Sequence, residues 1–116
     1  MVVAKFTTNE QKMEVSLHVK GHAGQNSIGK DIICASASVL AYTVAQNVKV
    51  AEERGILKYS PKLKLTGGDA IITCRAKDGG SYTELLHTYL VVQTGYVLLA
   101  HNYPQYVAVE MFGEAE

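Results

Sequence analysis

A chain of 116 residues that is 47% hydrophobic and 19% charged can fold as one domain, here taken as residues 1–116, and is too apolar to be disordered. Eleven basic and eleven acidic residues leave no net charge, which argues against a protein organised mainly around nucleic-acid phosphates. No apolar run reaches the ~20 residues of a membrane span, and Met1–Thr8 has no apolar signal region, so no membrane association and a cytoplasmic location are expected.

Residues 2–8, rich in Val, Phe and Thr, predict a first strand, with a turn at Asn9 and Glu10. Met13, Val15, Leu17 and Val19 alternate with Glu14, Ser16, His18 and Lys20, the period of a half-buried strand, and the two strands make a hairpin. A glycine-containing loop over 21–30 follows. From about Asp31 to Arg54, Ile33, Ala37, Leu40, Val44, Val48 and Ala51 recur at three and four residues, which predicts one apolar helix face, and Gly55 supplies the stop. Small residues at 35–38 and 41 suggest a close neighbour for its first turns. Residues 56–65 read as an edge strand because Pro61 interrupts them. After a Gly67-Gly68-Asp69 turn, Ala70, Ile72, Cys74 and Ala76 alternate as a fourth strand. Ser81 with Glu84 reads as a capping box opening a second helix to about His101. Pro104 breaks the chain, and 106–112 is a last strand. The order is ββαββαβ. The fold expected is α+β, with two helices packed on small, mostly antiparallel sheets.

The segment that carries chemistry is G-H-A-G-Q-N-S-I-G-K-D-I-I-C-A, residues 21–35. With Asp31 as N-cap, Cys34 is the third helical residue. The free amides and the positive end of the helix there favour a thiolate, which is the nucleophilic form of cysteine. His22 closes the second strand, and an imidazole can take the thiol proton and return it to a leaving amine. The helix start also offers amides to a developing oxyanion. Nucleophile, base and oxyanion donor together make acyl transfer possible. The bland alternative is an unrelated Cys and His, the usual meaning of such a pair when no third partner is visible.

Gly21 and His22, followed by Gly29, Asp31, Cys34, Ala35 and Ser38 at this spacing, resemble the signature of the ribosomal-processing cysteine proteases of the Prp family, over essentially the whole chain. The resemblance implies a dyad of Cys34 as nucleophile and His22 as base. It implies removal of the short N-terminal extension of a large-subunit ribosomal protein, number twenty-seven, in support of ribosome assembly. It also implies a homodimer. No C-x-x-C spacing is present, so no metal is expected, and no cofactor is expected either. Gly21 and Gly29 are then expected as hinges of a gating loop that includes Gly24. Asp31 is expected to start the helix, with orientation of His22 as its alternative role. Ser38 is expected to pack or hydrogen-bond beneath the site.

Three other functions compete. One is a ribosome-associated binding module without activity. Another is a protease that processes phage structural proteins. The third is a nucleotide-binding protein, since residues 24–31 read G-x-x-x-x-G-K-D, one residue from a phosphate loop. Asp31 stands where that loop needs a hydroxyl for magnesium, which disfavours it. Cys74 falls on the apolar phase of its strand and is expected to be buried and inert. His18, on the polar phase, is expected to be solvated, and His87 and His101 to be surface or cap residues.

Overall fold

The computed structural model describes residues 1–22 and 30–114, with the backbone alone at 30, 31 and 114. The elements follow in the expected order: β1 (Val2–Asn9), β2 (Glu14–Lys20), α1 (Lys30–Glu53), β3 (Lys62–Thr66), β4 (Asp69–Arg75), α2 (Gly79–Asn102) and β5 (Val107–Glu114). The strands form one five-stranded sheet, ordered β3-β4-β2-β1-β5, rather than several small ones. β1–β2, β2–β4 and β3–β4 pair antiparallel, and β5 returns parallel to β1. The edge-strand expectation for β3 holds, although the strand starts only after Pro61.

The period-two alternation decides which face the helices cover. Val15, Leu17 and Val19 of β2 and Ile72 and Cys74 of β4 are buried, together with Val2, Ala4 and Phe6 of β1. Across them pack Ile33, Ala37, Val44, Val48 and Ala51 of α1 and Leu85, Tyr89, Val92 and Tyr96 of α2. The predicted apolar face of α1 is therefore the face that packs. On the other face, residues directly opposed in the β2–β4 register bond in pairs: Ser16 Oγ with Thr73 Oγ1 at 2.7 Å, and Arg75 Nε to Glu14 Oε2 at 2.9 Å. Among the described residues no helix is long and apolar enough to cross a membrane.

Two buried hydroxyls tie α2 down. Tyr89 Oη donates to the Ile72 carbonyl of β4 at 3.0 Å, and Tyr96 Oη donates to the Ala37 carbonyl of α1 at 2.7 Å. Burial pushes both phenols above the ordinary tyrosine range. Of the small residues early in α1, only Ala37 and Ala41 turn inward; Ala35 and Ser38 are exposed.

Local boundaries correct several expectations. Met13 sits in the β1–β2 turn with φ 51°, so β2 begins one residue later. The cap of α2 is Asp78, whose Oδ1 accepts the Ser81 amide at 2.8 Å. The expected capping box fails because Asp78 already occupies that amide, and Glu84 faces α1 instead. There it forms a two-pronged pair with Arg54, whose Nη2 donates to Glu84 Oε1 at 3.2 Å while Nη1 reaches Oε2. Helix α1 begins at Lys30, so the backbone of Asp31 lies inside its first turn, one residue past the start.

Tyr96→Phe should lower stability by about 1 kcal/mol, the usual net worth of one hydrogen bond. Leu17→Ala, at the centre of the covered face, should cost about 2–5 kcal/mol through transfer and cavity terms. Urea titration followed by circular dichroism measures both. Equal losses for the two variants would contradict this account of the core.

Candidate active site

Helix geometry builds one wall of the site. Cys34, Ala37, Ser38, Ala41 and Tyr42 recur at three and four residues, so they share a stripe along α1. That stripe faces the end of the sheet across a cleft of about 90 Å³. The opposite wall is the β3–β4 turn, residues 65–70, and the end of β2 contributes Val19, Gly21 and His22. Val2, Val19, Ala37 and Ala41 are buried and give the cleft an apolar floor. Cys34 is half-buried and His22 is exposed, so a thiol and an imidazole stand at the mouth of one cleft.

The structure thus brings together His22, Cys34, Gly21 and Ser38 of the expected site residues. Ser38 is exposed on the cleft wall, one turn after Cys34. Gly24 and Gly29, and with them the expected gating loop and phosphate-loop pattern, lie outside the described residues. Because α1 starts at Lys30, Cys34 is its fifth residue, not its third. Its own amide belongs to the helical ladder. The amides without an intrahelical acceptor are those of the residues before it, at the start of α1.

His22 is placed by backbone. The Gly21 amide donates to the Gly68 carbonyl at 2.9 Å, which carries the β2–β4 ladder one step beyond its last strand pair, Lys20 with Asp69. Gly21 has φ 99°, and a side chain there would run into the Met1 carbonyl. Gly68 has φ 77°, and the Nε2–Cε1 edge of the His22 ring lies against it. A Cβ on Gly68 would stand 2.7 Å from His22 Cε1, closer than such atoms can approach. Gly68 was legible in the sequence only as part of a turn.

Beside Gly68, Asp69 also lines the cleft. Its Oδ1 bonds His18 Nε2 at 2.7 Å and its Oδ2 accepts from Lys64 Nζ at 2.7 Å. Lys64 first and His18 second hold the Asp69 carboxyl down to about 2. His18 is therefore paired, against the expectation of a solvated side chain. Its polar phase was read correctly, but the partner comes from β4 through a register that local sequence does not reveal. His87 and His101 are exposed, as expected.

Cys74 is 2% exposed, and burial pushes its thiol up to about 11, partly offset by Tyr89 Oη at 3.7 Å. A thiol so protonated is a poor nucleophile. Cys34 is the cysteine that reaches solvent.

Comparisons with known proteins give the family and the fold. The family model described as cysteine protease Prp matches residues 1–108. Among curated proteins no significant match is found. The fold is similar to that of SMU.848 from Streptococcus mutans, with 21% identity, a TM-score of 0.65, and coverage of 99% of this chain and 96% of that one. It is also similar to an essential ribosomal processing protease Prp from S. aureus in complex with a substrate peptide, with 20% identity, a TM-score of 0.63, and coverage of 97% and 100%. The same S. aureus protease with a covalently linked product peptide gives 22% identity and a TM-score of 0.64, again covering 97% and 100%. With a family model spanning nearly the whole chain, and a half-buried cysteine and a histidine lining one cleft, the chain belongs to the Prp family of cysteine proteases.

Proposed function

We propose that this chain is an endopeptidase that removes the short N-terminal extension of a large-subunit ribosomal protein in the cytoplasm, with Cys34 as nucleophile and His22 as general base. The observation that carries the reading is the shared cleft: two groups able to exchange a proton stand over an apolar floor, in a chain of this family.

The chemistry follows from those groups. His22 takes the proton of the Cys34 thiol, and the Sγ electron pair attacks the scissile carbonyl carbon. The carbonyl π pair moves to oxygen, where unbonded amides at the start of α1 can meet the negative charge. As the tetrahedral intermediate collapses, the C–N bond breaks, and the imidazolium returns its proton to the leaving amine. Water, deprotonated by His22, then attacks the thioester, and the C–S bond breaks to release the carboxylate and the thiol. The small floor residues Ala37 and Ala41 leave room for a bulky apolar side chain next to the scissile bond. The same reading includes a homodimer in which a second copy covers the exposed Val39, Tyr42 and Val50 of α1.

Cys34→Ala should abolish cleavage of a peptide carrying the ribosomal extension, read by mass spectrometry, without lowering the melting temperature by more than a degree or two. Iodoacetamide should inactivate the wild type in step with alkylation of Cys34, while Cys74 stays unmodified at neutral pH. Near-normal turnover by Cys34→Ala would end the assignment. His22→Ala should slow cleavage by about 10²–10⁴-fold, the usual worth of a positioned base. Its KM should stay within a few-fold of wild type, and a loss confined to KM would remove His22 from the chemistry. Sedimentation at micromolar concentration should give a dimer that Tyr42→Glu converts to monomer; a wild-type monomer would remove that part of the reading.

A further inference from the structure

A histidine exposed at the end of a strand has two free side-chain torsions, and the ring goes where its surroundings hold it. For His22 the described surroundings are the β3–β4 turn. Gly68 presents bare backbone to the Nε2–Cε1 edge of the ring. The carbonyl of the same Gly68 accepts the amide of Gly21, the residue just before His22, at 2.9 Å. The turn therefore holds the base both by its main chain and by its ring.

The turn is itself clamped from the opposite face of the sheet. Asp69 ties β2 through His18 and β3 through Lys64, both at 2.7 Å, and its carbonyl accepts Thr66 Oγ1 at 2.8 Å. Lys20 stands opposite Asp69 in the β2–β4 register and adds a further positive charge on that side. The Asp69 carboxyl, held down to about 2 by Lys64 and His18, is the ionised acceptor of both bonds near neutral pH.

We propose that the β3–β4 turn positions the general base: Gly68 is the rest against which the His22 imidazole is set, and Asp69, bridged to His18 and Lys64, holds Gly68 in place. Gly68 and Asp69 are positioning residues, because they act on the reaction through His22. The proposal rests on the assignment of His22 as base. Its geometric part, the contact between ring and turn, does not.

Gly55 separates this role from plain backbone strain. It has φ 74°, nearly that of Gly68, but faces open space. Alanine at either position meets the same left-handed strain; only at Gly68 does it also meet the imidazole. The experiment is a set of melting curves and peptide kinetics for Gly68→Ala and Gly55→Ala, each alone and combined with His22→Ala. Gly55→Ala should lower the melting temperature equally in both backgrounds and leave kcat unchanged. Gly68→Ala should lower it clearly more when His22 is present than when it is absent. In the otherwise wild-type enzyme Gly68→Ala should cut kcat by about 10²-fold with KM within about two-fold, the loss expected for a misplaced catalytic group.

Asp69→Asn, which keeps the shape and removes the charge, provides the second arm. It should lower kcat and move the His22 Cε1–H signal in proton spectra of the free protein, with Asp69→Glu recovering part of both. Equal destabilisation by Gly68→Ala in the two backgrounds would overturn the proposal. So would an unmoved His22 signal with unchanged kcat in Asp69→Asn, which also decides the matter if Gly68→Ala does not fold. Should the wild type fail to cleave the peptide, the assignment of activity falls, while the melting cycle and the His22 signal still decide whether the turn holds the ring.

Discussion

The hydrogen bond from the Gly21 amide to the Gly68 carbonyl is the point on which the site depends. It closes the β2–β4 ladder at the end where β2 stops, and it forms between two residues with positive φ. A chain built from residues with side chains could not make it. At Gly21 the Met1 carbonyl occupies the space of a Cβ, and at Gly68 the imidazole does. Three separate stretches of chain, the N-terminus, the end of β2 and the β3–β4 turn, thus converge within contact distance. His22 emerges at that convergence, so its place is set by the sheet even though the ring itself is exposed.

The thiol on the other wall of the cleft has a different support. Cys34 rides on α1, and α1 is held by packing more than by polar bonds. Ile33, directly before it, is fully buried, and Ala37, one turn on, is buried and receives the Tyr96 hydroxyl through its carbonyl. Because Tyr96 belongs to α2, and Tyr89 on the same helix bonds to β4, the two helices and the central strands form one connected body. A shift of Cys34 relative to His22 therefore requires α1 to slide on the sheet, which the close packing of the interior resists. His22 stays with the sheet end and Cys34 with the core, and both line the one cleft.

What the sequence disclosed, and what it did not, follows the range of each interaction. Alternation along β2 and β4 and the three-four spacing along α1 are properties of neighbouring residues, and both named the buried faces correctly. The pairing of β5 with β1, in contrast, joins residues about a hundred positions apart, and nothing in either strand announces a parallel partner. The start of α2 was misplaced by one competition between neighbours: Asp78, three residues before Ser81, takes the amide first. His18 was assigned to the correct face without its partner, since the partner depends on which residue of β4 lies opposite Lys20. Cys34 and His22 could be singled out because each stands at the end of a local element, and the fold sets both on one cleft. Gly68 could not be, because its importance lies in what touches it, and the residue that touches it is 46 positions away in the sequence.

The two cysteines show how the same fold assigns opposite chemistry to one side chain. Cys74 occupies an inward position of β4, where burial among apolar residues keeps its sulfur protonated and the Tyr89 hydroxyl beside it offsets that only in part. Its contribution is volume, and an ionised form would have to be buried without a cation. Cys34 occupies the boundary of the α1 stripe, where the helix turns from the core toward the cleft, so its sulfur has the helix behind it and solvent in front. Had α1 been rotated by one residue, Ile33 would have faced the cleft and Cys34 the core. The 100° step of the helix is large enough that the burial of Ile33 itself determines which way the neighbouring thiol points. Core packing and the exposure of Cys34 are in this sense one constraint: the apolar face that holds α1 on the sheet is also what turns Cys34 toward the cleft that His22 lines.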